Sequence, residues 1–226
     1  MSFLPSRHGF RFVNGFDRLP ELNIAGLSGL PALPRAYGLC GGMSLDARGR
    51  YLNGQRISRT TTVPEPGTPL FNRLWEKQLE SFGPGWRYVT QFAIWMALPD
   101  GGVGGVQRRT FDQWPSIRSQ LNRNRPVVIG LVRVQATSNL KIWENHQVLA
   151  YSYSIPAATQ VRILVYDPNF PREDDVRIEL RRRQVGTRTV IRNWLPTQVP
   201  VYGYTAQQFK PNGEPIACRG LFAMTH

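Results

Sequence analysis

The chain has 226 residues, 41% of them hydrophobic and 19% charged, with a formal net charge of +13. That length builds one large domain or at most two small ones, and the composition supplies a sizeable core, which excludes disorder of the whole chain. No run approaches the ~20 apolar residues of a membrane-spanning helix. The opening MSFLPSRHGFRFVNG lacks the apolar centre of a Sec signal peptide, so the expectation is a cytoplasmic protein or one exported by another route. The two cysteines, Cys40 and Cys218, are too few for a disulfide-stapled scaffold and fit a reducing compartment.

Residues 1–36 hold Pro5, Pro20, Pro31 and Pro34 with several glycines and weak periodicity, which predicts an extended arm lying on the domain surface. A tight turn at Gly38 and the run Cys40-Gly41-Gly42-Met43 then open a short buried helix ending by Gly49 or Gly54. Residues 60–69 read as a polar, proline-rich loop. Leu70, Phe71, Leu74, Trp75, Leu79 and Phe82 fall at helical spacing and predict a helix over 69–82, stopped by Gly83-Pro84. Residues 86–98 are apolar enough for helix or strand. The glycines at 101, 102, 104 and 105 read as a loop. Asp112 is placed to cap a helix over 113–123 with Pro115 in its first turn.

From residue 126 the pattern changes to strands: 127–134, 147–154, 161–166, 176–181, 187–194, 199–204 and 217–224. Helices come first and strands afterwards, with no βαβ alternation. The expected fold is therefore α+β, a helical half over 37–125 packed on an antiparallel sheet over 126–226, in a single domain spanning 1–226.

Of the 28 Lys and Arg residues only Lys77, Lys141 and Lys210 are lysine. A broad arginine excess reflects either a GC-rich coding sequence or a functional basic surface for an acidic partner, with the strands around 177–192 the densest region. No RRM, helix-turn-helix or zinc-finger signature points to nucleic acid. His8, His146 and His226 are scattered, and CxxC, HExxH and GxxxxGK[ST] are absent, so no metal and no cofactor is expected.

Three short segments fit one chemistry. In Gly38-Leu39-Cys40-Gly41-Gly42-Met43 a cysteine at a helix start feels the positive end of the helix dipole, which favours the thiolate. Gly41 and Gly42 would let a substrate backbone approach, and turn amides there could hold an oxyanion. In Asn145-His146-Gln147-Val148 a histidine opens a strand, where its imidazole could exchange a proton with Cys40 and with a leaving amine. In Val165-Tyr166-Asp167-Pro168-Asn169 an aspartate ends the next strand, and antiparallel neighbours of this length bring Asp167 near His146. Asn169 is the alternative partner for the ring. Trp143 either shields the His146–Asp167 bond from water or belongs to the core. Each segment alone also has a structural reading: a buried thiol, a solvated histidine, an Asp-Pro turn.

GLCGGM, NHQVLAY and YDPN, in the order Cys, His, Asp, resemble the active-site motifs of bacterial papain-like cysteine peptidases, including the group that processes double-glycine leaders. The resemblance spans about residues 36–226 and implies a papain-like fold, a thioester mechanism, and a protein or peptide substrate. It implies catalytic roles for Cys40, His146 and Asp167, with Gly41, Gly42, Asn169 and Trp143 around the substrate. The pattern departs from the family at Pro34, where a glutamine usually completes the oxyanion hole, and Asn14 and Asn23 are the alternative donors. The same triad supports glutamine deamidation or acyl transfer, as in a bacterial toxin or effector. The missing glutamine also admits a degenerate scaffold that only binds partners through its basic surface.

Overall fold

The computed structural model describes residues 2–16, 38–137 and 139–224. Its helices are α1 (Pro5–His8), α2 (Cys40–Leu52), α3 (Pro69–Ser81), α4 (Arg87–Ala97) and α5 (Val106–Asn122). Its strands are β1 (Val127–Val132), β2 (His146–Ala157), β3 (Gln160–Tyr166), β4 (Arg177–Arg192), β5 (Leu195–Phe209), β6 (Pro215–Ile216) and β7 (Gly220–Met224). The strands form one antiparallel sheet in the order β6-β5-β4-β3-β2-β1-β7. Helices precede strands, so the α+β class holds. Among the described residues no helix is long and apolar enough to cross a membrane.

Both faces of the sheet centre are covered, which is why β1 reads as the unbroken apolar run VVIGLV. Val128, Val132, Leu149, Tyr166 and Phe222 face a core shared with α2, α3 and α4. Val127, Ile129, Leu131, Val148 and Ile163 face a second core closed by Trp114, Ile117 and Leu121 of α5. Alternate residues of each strand thus feed opposite layers, as the pleat requires.

Local chemistry sets the helix ends. Thr68 caps α3 by accepting from the Phe71 N–H, and Pro69 occupies the first turn, where no N–H is needed. Phe71, Leu74, Gln78 and Ser81 then line one buried face at helical spacing. Helix α2 has every residue from Gly41 to Ala47 buried. A Cβ on Gly42 would lie 2.2 Å from the Leu74 carbonyl oxygen, so glycine is what lets the α2 and α3 backbones touch. Asp46, buried in the same helix, is held by Arg50 at 2.7 Å and by Arg73 of α3 at 2.6 Å.

Three expectations need correction. Residues 2–16 do not lie on the surface: Phe3, Phe10, Phe12 and Phe16 are buried in the helical-side core. Four phenylalanines are worth more inside than the glycines and prolines around them suggest. The rest of the expected arm, including Asn23 and Pro34, lies outside the described residues. Helix α5 starts at Val106, seven residues before the expected start, with Pro115 inside it. Asp112 is not its cap but pairs with Arg108 one turn earlier at 2.5 Å. Tertiary contacts stabilise that first half, since Val106 and Thr110 are buried and the Thr110 hydroxyl accepts from the Leu221 N–H of β7. Finally, the segments expected as strands at 176–181 and 187–194 are one strand. The sheet passes a bulge between Gln184 and Gly186 that leaves Val185 unpaired, and the chain reverses at Asn193-Trp194 instead.

Candidate active site

Cys40 is the first residue of α2, His146 the first of β2, and Asp167 follows the last residue of β3. The β1–β2 and β2–β3 registers place Leu131 opposite His146 and Tyr166 opposite Leu149. The start of one strand and the end of the next therefore lie at the same end of the two central strands. His146 Nε2–H donates to Asp167 Oδ1 at 2.7 Å, and both side chains are withdrawn from water, at 4% and 0% exposure. With Nε2 committed, Nδ1 is the ring nitrogen left for proton exchange with the half-buried Cys40 thiol, which shares a cavity wall with His146 and Gln147.

The electrostatics of the trio are mutual. Burial opposes charge on each member, and the neighbouring charges overcome it. Burial would push the Cys40 thiol up, yet the charge and hydrogen bond of His146 and the Gln147 N–H hold it below the ordinary thiol value. Burial would push His146 down, yet the Asp167 carboxylate lifts it to about 9 against the opposing charge of Arg133. Asp167 is likewise held below the usual carboxylate range, in spite of burial, chiefly by His146. The three groups thus each favour the charged form of the next: thiolate, imidazolium and carboxylate. Cys218 is the contrast: buried, its thiol is pushed up to about 12.

Residues with no signal in the sequence complete the support. Gln208 of β5, fully buried, donates from Nε2 to Asp167 Oδ2 at 2.6 Å and accepts at Oε1 from Arg133 Nη2 at 2.8 Å. Arg133 Nη2 itself stands 4.0 Å from Asp167 Oδ2. The Asn169 backbone N–H fills the second position on Oδ1 at 2.9 Å. Asn145 fixes the turn before β2, accepting from the Arg133 N–H at 3.0 Å and donating to the Ile142 carbonyl at 2.9 Å. Gln208 carries no motif. It is one polar residue in an alternating strand, brought to Asp167 only by the sheet.

A cavity of about 230 Å³ opens beside Cys40 and His146. Trp143 and Asn169 line it, together with Phe82, Tyr88, Phe92 and Ile142. Asn169 Nδ2 lies 3.4 Å from His146 Nε2, so its side chain is a secondary neighbour of the ring and Asp167 the primary one. Gly41 and Gly42 do not line the cavity. Both are buried, Gly42 against α3 and Gly41 under Ser81 and Gln147, so their missing side chains serve helix packing instead of substrate approach. The Gly42 N–H is also taken, donating to Gln78 Oε1 at 2.9 Å.

Among the side-chain amides that line the cavity, two come from outside the strand ends that carry His146 and Asp167. Asn14, one of the two donors open from the sequence, sits against Gly38, and its Nδ2 donates to Asn169 Oδ1 at 3.1 Å. Gln78, which sequence reasoning missed, lines the same cavity from α3. Among the described residues no three His, Cys, Asp or Glu side chains converge as metal ligands. Compared with family models, curated proteins and solved structures, the chain matches none.

Proposed function

We propose that this chain is a cysteine hydrolase of papain-like architecture that cleaves peptide or isopeptide bonds through Cys40, His146 and Asp167. The single observation that carries the reading is a buried imidazole hydrogen-bonded to a fully buried carboxylate and lining one cavity with a half-buried thiol to which its charge couples. In this mechanism the Cys40 thiolate attacks the carbonyl carbon, forming the C–S bond while the carbonyl electrons move to oxygen. The Cys40 backbone N–H at the helix start, with a side-chain amide from Asn14 or Gln78, faces that oxygen. Collapse breaks the C–N bond, and His146 gives its proton to the leaving amine. The neutral imidazole then takes a proton from water, whose oxygen attacks the thioester, and carboxylic acid and Cys40 are released. Asp167 fixes the ring and stabilises its charged form throughout.

The cavity is smaller than the ~300–1,000 Å³ of sites that enclose whole small ligands, which suits one part of an extended chain. Incubation with a complex peptide library, read by mass spectrometry, tests the proposal. New chain ends are expected with the wild type and not with Cys40→Ala. A gain of about one dalton at glutamine without new ends would assign the triad to deamidation, and no Cys40-dependent product of either kind would leave the basic scaffold as a binding module.

A further inference from the structure

Strands β4 and β5 run on past the sheet. β3 pairs with β4 only over Arg177–Arg181, and β6 pairs with β5 only at Gln208 and Phe209. From Arg182 to Tyr204 the two strands pair only with each other, as a two-stranded ribbon. Its base is braced where Gly186 meets Val103 and Gly203 meets Gln107 at the start of α5. The pairs from Thr187–Pro200 to Arg192–Leu195 then project by about 17 Å at the ~3.3 Å rise of a strand.

The end of this arm is apolar. Asn193 and Trp194 make the two-residue turn, both with positive φ (50° and 64°), as the tight primed hairpin turns require. Glycine normally takes such a position, yet a tryptophan stands there at 96% exposure, flanked by Ile191 and Leu195 at 67% each. Behind the tip the ribbon is basic. Residues 181–204 include Arg181, Arg182, Arg183, Arg188 and Arg192 and no Asp or Glu. Arg181 reaches Glu179 at 3.7 Å, while among the described residues Arg183, Arg188 and Arg192 have no carboxylate within 4.0 Å.

An occupant must therefore offer an apolar layer to the tip and negative charge a few ångströms behind it. Duplex nucleic acid offers the charge but no layer that would take Ile191 and Leu195 out of water. A second copy would set five arginines against five, and Pro196 and Pro200 leave the β5 edge without two ladder donors. An anionic bilayer offers both in the right order. Tryptophan and aliphatic side chains settle at the boundary of headgroups and acyl chains, and arginines meet lipid phosphate and carboxylate. We propose that the β4–β5 ribbon is a membrane-surface anchor whose Trp194 tip inserts into the headgroup region of anionic lipid. The protein would lie on the membrane and not span it.

Sedimentation of the full chain with lipid vesicles tests this without reference to catalysis. The chain is expected to pellet with vesicles of phosphatidylcholine and phosphatidylserine, weakly with phosphatidylcholine alone, and less as salt rises. Trp194→Ala with Leu195→Ser should weaken binding at least tenfold, and Arg188→Gln and Arg192→Gln about fivefold each. These positions are exposed, and circular dichroism checks that the variants keep the fold. Wild-type chain that stays in the supernatant with both vesicles overturns the proposal, as does vesicle binding indifferent to Trp194 and Leu195. Failure to bind vesicles together with Trp194-dependent retention of duplex DNA would give the ribbon to nucleic acid instead.

Discussion

Asp167→Asn removes one charge from the site while keeping the size and shape of the side chain. In the wild type the carboxylate outweighs burial and Arg133 and raises His146 to about 9. Without it burial and Arg133 still lower the ring and only the Cys40 charge raises it, so the imidazole should return toward its ordinary value near 6.5. A change of that size, at 1.36 kcal/mol per pH unit, amounts to about 3 kcal/mol of lost support for the imidazolium. The Cys40 thiolate then loses the cation that stabilises it, and the thiol should titrate near an ordinary ~8.5. At pH 6 the thiolate fraction of the variant would be about 1 in 300. Because a more basic thiolate is also the better nucleophile, the rate deficit shrinks to about tenfold to a hundredfold. The assay is alkylation by iodoacetamide as a function of pH, read by mass spectrometry on the Cys40 peptide. Cys218, with its thiol pushed up to about 12, serves as a slow internal reference. Wild type should show the flatter profile from pH 6 to 8, and Asp167→Asn should climb more steeply and approach it by pH 9. Superimposable profiles would refute the reasoning, because Asp167 would then not govern the charge on His146.

Gln208→Leu should cost about 1–3 kcal/mol in urea unfolding, since it strips a buried donor from Asp167 and leaves Arg133 without its acceptor, and it should lower turnover less than Asp167→Asn does. Gly42→Ala should destabilise the fold by ~2 kcal/mol or more, or prevent soluble expression, because the added Cβ meets backbone that cannot yield, whereas Gly41→Ala meets the side chains of Ser81 and Gln147 and should cost less. The pH dependence of stability separates the two ionised partners. A folded thiolate–imidazolium pair would hold as many protons between about 6.5 and 8.5 as the unfolded thiol and neutral imidazole, and so would contribute no slope there. In Cys40→Ser the raised His146 acts alone. Its stabilisation is complete below about 6.5 and is lost as pH rises toward the folded value, so the urea midpoint should fall across this window while that of the wild type stays level. Parallel midpoint curves for the two proteins would rule out the ion pair.

The convergence of Cys40, His146 and Asp167 was legible because cysteine and histidine are scarce in the chain and each of the three lies beside an element end that periodicity locates. The length of the strands then brings one end near the other. Gln208 and Arg133 were not legible, because their contact with Asp167 spans the sheet and leaves only ordinary alternation in the sequence. Gly41 and Gly42 were misread for a physical reason: the same absence of Cβ serves a substrate or a neighbouring helix, and only the position of α3 decides between them. The buried phenylalanines of residues 2–16 were masked by the prolines and glycines among them. The β4–β5 ribbon was hidden by Gly186, which marks a bulge as readily as a break.

The central claim is a charged pair, imidazolium and thiolate, held at neutral pH by a buried carboxylate. Nitrogen-15 NMR of the imidazole rings measures it directly, since the chain has only three histidines and His146 can be assigned by substitution. The account predicts that His146 keeps both ring protons to about pH 9 and that Cys40→Ser lowers this value, because the thiolate contributes to it. A His146 ring that deprotonates near pH 6.5 and is unmoved by Cys40→Ser would contradict it.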